Sequence, residues 1–576
     1  MRTSATATRE HRRGVILIVV LVLVVMLSLA GFAFMNRMAT EYEATVIGGD
    51  LRQAHQTLAS AEALLLTVAD EYAGHPEASH PFAVAPEVFS SRTVNPVPAT
   101  DVATDTPQAA TTTARRWRFS VVESLQGFEP TSTGAAFGSA GTANEPPAYS
   151  EFDESPDSSP IQFGMVNESR KLHLGRVMLW EKHEPGAGRR ALLHIPGMTP
   201  EAADSILDWM DDDQTPRELG AEATYYQELD PPYSNRNGLP ETLEELLFVK
   251  GVTRDMFYGT GQIVSDFEQP VVSWNQLLTA CSAESNSDRN GNDRIDLNDV
   301  YPSDYASSTG ADTNELSFLP EELVKYILLA RLYGITILST HSNSSTPSTM
   351  QSVALSEVTL PNDESLDLHE LESLADLIDS HVTLPHNEHH GEHSGAMVVS
   401  PLTADGPDFT ETMSLLEERT TLSLNNVIRG RININTATDP VLTALLDDAG
   451  IASQLVQQRT LLESREQEST AWLLTRQIVD PTTYRRIYPH ITTRGAVHSG
   501  EIVVYRRFGG PFIRRKITID ASVKPARRRT WTDLTSLGLP VDRDLLRYTG
   551  SEAEFEMETD LFDAGDLFDQ GPSTNL

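Results

Sequence analysis

Val15-Ile16-Leu17-Ile18-Val19-Val20-Leu21-Val22-Leu23-Val24-Val25-Met26-Leu27-Ser28-Leu29-Ala30-Gly31-Phe32-Ala33-Phe34-Met35 is the stretch that decides the fold. It is entered directly from His11-Arg12-Arg13-Gly14 and carries no charge. At about 1.5 Å per residue, 21 helical residues reach across the roughly 30 Å hydrocarbon core of a bilayer. Arg2, Arg9, Arg12 and Arg13 precede it, so the positive-inside rule keeps the first residues cytoplasmic and sends the rest of the chain across the membrane. A cleaved secretory signal has a shorter apolar core followed by small residues. Here the apolar run continues into Asn36-Arg37-Met38-Ala39-Thr40-Glu41-Tyr42, which predicts one long helix, its first half in lipid and its second half amphipathic.

Outward from this helix the pattern is that of an exported protein in several parts. A chain of 576 residues is too long for a single core. It carries 82 acidic against 44 basic residues, a net charge of −38. The eight acids from Ser551 onward have no base among them, and subtracting them leaves −30 on the body. Nucleic acid is therefore not an expected partner, because phosphate contacts need a basic face. The single cysteine, Cys281, excludes an internal disulfide and a thiolate zinc cluster. Calcium, with its oxygen ligands, is the cation this composition favours.

Asp50 to Tyr72 keeps helical spacing, with Leu58, Ala61, Leu65, Val68 and Tyr72 on one face. Residues 74–113 and 130–160, rich in Pro, Ser, Thr and Gly, read as loops. Strands are expected at Ala114–Glu123, within Phe163–Leu174, at Gly500–Phe508 and at Ile513–Val523, the last two joined by Gly509-Gly510-Pro511. Between these strand regions the pattern turns helical. Thr199-Pro200 is an N-cap followed by proline at the first helical position, opening a helix to Met210. The apolar-x-Gly-apolar turn before it returns at Val249-Lys250-Gly251-Val252-Thr253. A related segment, Ile432-Asn433-Ile434-Asn435-Thr436-Ala437, leads into helices at Val441–Leu446 and Ile451–Arg459. Such turns occur in helix-hairpin-helix elements, as DNA-backbone readers or as packing devices.

Arg12-Arg13-Gly14-Val15-Ile16-Leu17 resembles a class III prepilin leader, in which a peptidase cuts after the glycine and the new amine is methylated. The resemblance implies processing between Gly14 and Val15 by a prepilin peptidase. Most pilins carry a glutamate fifth after the cut, thought to neutralise a neighbour's terminal amine in lipid. This chain has Val19 there, which the resemblance reads as a subunit at the fibre tip, where that partner is not needed.

A longer signature lies between the glycine turns: Leu207-Asp208-Trp209-Met210-Asp211-Asp212-Asp213-Gln214-Thr215-Pro216-Arg217, Gly220-Ala221-Glu222, Tyr225-Tyr226, Pro231-Pro232-Tyr233, and Glu245-Leu246-Leu247-Phe248-Val249-Lys250-Gly251-Val252. It resembles the general secretion pathway protein K family, the large minor pseudopilins of type II secretion systems, over about residues 10–260 and 428–535. Asn167-Glu168-Ser169-Arg170-Lys171-Leu172 departs from that family's Asp-Glu-Ser-Gly-Lys-Leu turn.

The resemblance implies an α+β architecture: a pilin-like N-terminal transmembrane helix and small antiparallel sheet, with an inserted, mostly α-helical, helix-hairpin-helix-like domain. The expected division is a leader at 1–14, the pilin helix at 15–72 and a first sheet part at 114–190. The helical domain follows at 191–260 and 428–494, interrupted by an insertion at 261–427. Final strands occupy 495–530 and an acidic tail 551–576. Implied partners are the other minor pseudopilins, the major pseudopilin, the prepilin peptidase and the inner-membrane secretion platform. The implied location is the inner membrane, single-pass, with the bulk in the periplasm.

Within the insertion, Asp288-Arg289-Asn290-Gly291-Asn292-Asp293-Arg294-Ile295-Asp296-Leu297-Asn298-Asp299 has the spacing of an EF-hand-like or dockerin-like calcium loop. Oxygen side chains stand at Asp288, Asn290, Asn292, Asp296 and Asp299, with Arg294 offering its carbonyl. Asp293 stands where glycine is usual, and a solvated acidic turn is the competing reading. Asp208, Asp211 and Asp213 are further oxygen donors or solvated helix-end carboxylates. His381, His386, His389, His390 and His393 form a histidine-rich segment without ligand-preorganising spacing. The chain holds no Gly-x-Ser-x-Gly elbow, phosphate loop or His-Glu-x-x-His, so no enzyme is expected. A membrane-anchored helix-hairpin-helix DNA receptor and a minor pilin of a type IV pilus are the alternatives.

Overall fold

The computed structural model describes residues 12–72, 85–94, 116–124, 161–259, 273–302, 315–337, 352–360, 368–386, 393–506 and 509–547. Residues 1–11 of the expected leader, most of both expected loops, His389, His390 and the acidic tail lie outside the described residues.

Helix α1 runs unbroken from Arg12–Tyr72, 61 residues or about 92 Å of axis. From Leu17 to Ile47 every side chain is exposed, and among the described residues α1 is the one helix long and apolar enough to cross a membrane. From Ala54 onward one stripe is buried, formed by Ala54, Leu58, Ala61, Leu65 and Ala69. The expected Val68 is only half-buried and Ala69 takes its place, so three alanines bring the helix close to what it covers.

What it covers is an antiparallel sheet. Its strands are β1 (Arg92–Thr93), β2 (Trp117–Ser124), β3 (Ile161–Phe163), β4 (Val166–Asn167), β5 (Val497–Arg506), β6 (Ile513–Asp520) and β7 (Arg527–Asp533). The spatial order is β1-β2-β5-β6-β7, with β3 beside β2 and β4 beside β5. Phe119, Val121, Val503, Ile517 and Ile519 join the helix stripe in one core. Fully burying side chains such as Leu58 and Leu65 contributes about 1.5–3 kcal/mol each. Ion pairs flank the seam: Asp50–Arg506 at 2.5 Å, and Glu62 with Arg515 at 3.2 Å and Arg528 at 2.8 Å.

The chain leaves the sheet after β4 and returns at β5, where Asn167 opposes His498 and Val166 opposes Ser499. Residues 168–496 therefore hang from two adjacent strands. They form a separate core, mostly helical, including α2 (Pro200–Met210), α3 (Arg254–Tyr258), α4 (Asp439–Leu446) and α5 (Ala449–Arg459). Two expected boundaries shift. Leu172, Leu174 and Val177 already belong to this head core, so it begins before residue 191. The expected insertion shares the core as well: the helix Glu321–Tyr333 is buried at Leu323, Val324, Tyr326, Ile327, Leu328 and Leu329. Short ladders sew it in, Leu172–His173 with Leu278–Thr279 in parallel and Ala283–Ser285 with Val427–Arg429 antiparallel. The reason is area: Leu- and Ile-rich segments inside a polar stretch bury their surface only against the neighbouring repeats.

Candidate functional site

Thr199 Oγ1 accepts a hydrogen bond from Ala202 N at 3.1 Å and Pro200 fills the first turn, which starts α2 where the sequence places it. At its other end the helix delivers Asp208 into the interior, fully buried. Asp208 Oδ1 accepts from Arg217 Nη1 at 2.5 Å and Oδ2 from Arg217 N at 3.1 Å. The same Nη1 reaches Asp211 Oδ2 at 2.7 Å. A Cβ on Gly220 would overlap the Asp208 carboxylate, so only glycine lets the returning chain pass.

That chain brings in Glu222. Its Oε2 accepts from Asn235 Nδ2 at 2.5 Å, while its Oε1 is buried without a partner, as is Asp211 Oδ1. Carboxylate oxygens of Asp208, Asp211 and Glu222 lie within 4.8 Å of one another. Burial, then the charges of Asp208 and Asp211, push the Glu222 carboxyl up to about 7. Burial also raises Asp208 and Asp211, against the pull of Arg217. Three convergent carboxylates, two of them paired with Arg217 and two with an unpartnered buried oxygen, are a donor set that fits a hard divalent cation. Asp213 stands apart, its Oδ1 accepting from Thr215 N.

The rest of the signature locks this corner. Trp209 meets Tyr226 edge-on at 5.1 Å, Tyr226 packs on Tyr233 at 5.3 Å, and Tyr233 donates to the Phe248 carbonyl at 2.7 Å. Lys250 Nζ lies 5.4 Å over the Tyr225 ring and pairs with Glu201 at 3.2 Å. Gly251, with φ +81°, faces the start of α2: its Cβ would come within 3.3 Å of Ala202 N. This glycine turn is thus engaged in packing.

The Asp288–Asp299 loop is built around the Asp288 carboxylate. Asp288 Oδ1 accepts from Asn290 N at 2.9 Å and Asn292 N at 2.8 Å, and Oδ2 from Asn292 Nδ2 at 3.1 Å. The left-handed residue is Gly291 at φ +81°, two positions earlier than in the expected spacing. Asp296 turns to cap Asn298 N, Asp299 is exposed, and the Arg294 side chain reaches the Glu418 carbonyl at 3.1 Å. Among the described residues the acidic side chains whose atoms converge are Asp208, Asp211 and Glu222. His381, His386 and His393 form no convergent group among the described residues.

The turn at Asn167–Leu172 joins the sheet to the head, and the sequence understated it. Lys171 Nζ meets Glu168 Oε1 at 2.6 Å with both side chains buried. Thr279 and Ser499 hydroxyls each donate to Glu168 at 2.5 Å. Burial alone would raise this carboxyl, but Lys171, Lys516 and the donated hydrogen bonds hold it down at about 2. Arg170 stands where the resembled family has glycine, and its φ is not positive, so the turn does not require glycine there. At the anchor, Val15 and Gly14 lie within α1, and Val19 is about half exposed among other aliphatic side chains.

A long exposed apolar helix docked by its second half under a small antiparallel sheet, with a large helical head hung from adjacent strands, makes a pilin-like α+β architecture whose first helix is consistent with a single-pass membrane anchor. Family models described as "Type II secretion system (T2SS), protein K" match residues 185–260 and 432–462, the two helical stretches built around α2–α3 and α4–α5. Both matched stretches are similar to the type II secretion system protein K family, and they support a minor pseudopilin role in type II secretion. Among solved structures it is similar to the crystal structure of the GspK-GspI-GspJ complex from the enterotoxigenic Escherichia coli type 2 secretion system. The identity there is 10% and the TM-score 0.35, over 85% of this chain and 98% of that one. The curated proteins contain no match.

Proposed function

We propose that this minor pseudopilin acts by assembly, at the tip of the periplasmic pseudopilus, supporting fibre formation and the export of proteins across the outer membrane. The observation that carries the reading is the two-part helix: bare and aliphatic to Ile47, docked under the sheet from Ala54. The bare half is free for other helices in the membrane and the fibre, and the head on the far side is too bulky for a shaft position. Val19 supports the same place, since a subunit without the carboxylate has nothing to offer the terminal amine of a subunit added above it.

On this reading the prepilin peptidase cuts between Gly14 and Val15 and the amine is methylated. The partners are other minor pseudopilins, as in the solved complex of GspK with GspI and GspJ, together with the major pseudopilin and the inner-membrane platform. The bulk of the chain lies in the periplasm. Calcium belongs to the reading as a structural ion held by Asp208, Asp211 and Glu222, where it would offset their mutual repulsion. Nucleic acid does not, given the net charge of −38 and the packed Gly251 turn.

The first test is the intact N-terminus by mass spectrometry of protein from membranes: a methylated Val15 is expected, and a chain still starting at Met1 would remove the pilin-type processing. The second is Val19→Glu, expected to let the subunit enter the shaft or to weaken the tip complex. A variant indistinguishable in both respects would show that this residue does not set position.

A further inference from the structure

The expected insertion and the second helical stretch meet along a seam that encloses a cavity of about 180 Å³. Three guanidinium groups line it: Arg294 from the insertion, Arg431 before Ile432, and Arg494 after Thr492. Each is sparingly used by the protein. Arg294 donates from Nε to the Glu418 carbonyl, and Arg494 from Nη1 to the Ser287 carbonyl at 3.1 Å. Arg431 donates from Nη1 to Glu284 at 3.0 Å, while its buried Nε has no partner.

Three of the four carboxylates on the wall are already engaged, and the fourth, Glu372, is exposed to solvent. Glu284 is buried, paired with Arg431 and accepting from Thr492 Oγ1 at 2.5 Å. Glu417 accepts from Thr470 N at 2.9 Å and from the Thr470 hydroxyl, and Glu468 is neutralised by Arg289 at 2.5 Å. Around Glu284, then, three arginines share one buried carboxylate and line an open volume.

We propose that this cavity is a binding site for a small oxyanion, a phosphate or a carboxylate, held between Arg294, Arg431 and Arg494. Planar guanidinium groups recognise both chemistries through paired N–H donors. Their mutual repulsion is the force an anion relieves: burial first, then the neighbouring Arg294, lowers Arg494 to about 10. Burial likewise lowers Glu417's tendency to ionise, so that wall repels an anion less than its composition suggests. Bound there, the anion ties the inserted segment to the second helical stretch, since Arg294 comes from one and Arg431 and Arg494 from the other.

The test is thermal unfolding of the full-length protein in detergent, with chloride exchanged for inorganic phosphate, or for acetate, at constant ionic strength. A saturable rise in melting temperature is expected in at least one arm, and the tighter arm says whether phosphate or carboxylate is the better fit. Arg294→Gln and Arg494→Gln should each weaken the apparent affinity about tenfold, whereas Arg254→Gln, on α3 far from the cavity, should leave it unchanged. Should the variants fail to fold, phenylglyoxal labelling of the wild-type protein decides: phosphate or acetate should protect Arg294 and Arg494 in peptide mass spectra. A flat melting temperature in both arms, an equal response in the arginine variants, or labelling unaffected by either anion would overturn the proposal.

Discussion

Replacing Glu222 by glutamine probes the acidic corner most directly. The wild-type carboxyl titrates near 4.5 in the unfolded chain and at about 7 in the folded one. Below the lower value both states hold the proton and the carboxyl costs nothing. As pH rises from 4.5 to 7 the unfolded chain releases its proton first, so folded stability falls, and above 7 the loss is complete. At about 1.36 kcal/mol per unit the loss is at most about 3 kcal/mol, and solvent screening near the surface trims it to about 2 kcal/mol. Glutamine keeps an oxygen for Asn235 Nδ2 and removes the titration. In urea unfolding followed by tryptophan fluorescence, with chelator present, Glu222→Gln should match wild type near pH 4.5 and exceed it by about 2 kcal/mol at pH 8. Asp208 and Asp211, also raised, leave both proteins a smaller slope of the same sign. Calcium at about 100 times its Kd should then add about 2.7 kcal/mol to wild type and less to the variant. A difference between the two proteins that is the same at both pH values would refute the buried, titrating carboxylate. Wild type indifferent to calcium would sink the cation reading alone.

Leu65→Ala opens a hole between α1 and the sheet and should cost about 2–5 kcal/mol in thermal or urea unfolding, with the helix becoming protease-sensitive after residue 47. Gly220→Ala drives a methyl into the Asp208 carboxylate and should destabilise the head by at least about 2 kcal/mol, whereas Gly238→Ala, with open space around it, should be within about 0.5 kcal/mol of wild type. Lys171→Met removes the cation paired with buried Glu168, leaving only the more distant Lys516, and should cost about 3 kcal/mol at neutral pH. Wild-type Glu168 is held at about 2 against 4.5 unfolded, so its contribution is present above 4.5 and lost as pH falls toward 2. An acid-unfolding midpoint unchanged in Lys171→Met would count against that assignment.

Local signals were legible where backbone chemistry acts within a few residues. Thr199-Pro200 announces α2 and Thr253 announces α3, because an N-cap needs only its own next turn. Non-local pairing hid the rest. The third strand of the final sheet, β7, contains Arg527-Arg528-Arg529, which reads as a charge run. In the fold, Arg528 reaches Glu62 on α1 and Arg515 stacks over Trp531 at 4.4 Å. Glu222 shows no role in its sequence motif, since its company of Asp208 and Asp211 depends on Gly220 letting the chain return. The Asp288–Asp299 spacing matches a calcium loop in sequence, and in the fold Asp296 also caps the next turn while the Arg294 side chain reaches the Glu418 carbonyl. Spacing sets which residues are available to a site, and the backbone turn at Gly291 sets which of them converge.

The junction of helix, sheet and head explains how so large a head is tolerated on a small sheet. Strands β4 and β5 are hydrogen-bonded neighbours, so the head enters and leaves at one place and the ladders of β2, β5 and β6 run past it undisturbed. Glu168 sits at that place, touching Lys171 in the turn, Thr279 in the head and Ser499 in the sheet. A buried carboxylate with three partners in three segments resists rotation of the head, because turning it strips hydrogen bonds from a charge that cannot reach water. On the opposite side α1 is fixed to β5, β6 and β7 by Asp50 and Glu62 as well as by its Leu and Ala stripe. Displacement of the helix along its axis is therefore passed to the sheet and, through Glu168, to the head, with no hinge among the described residues between the base of the helix and the head's first turn.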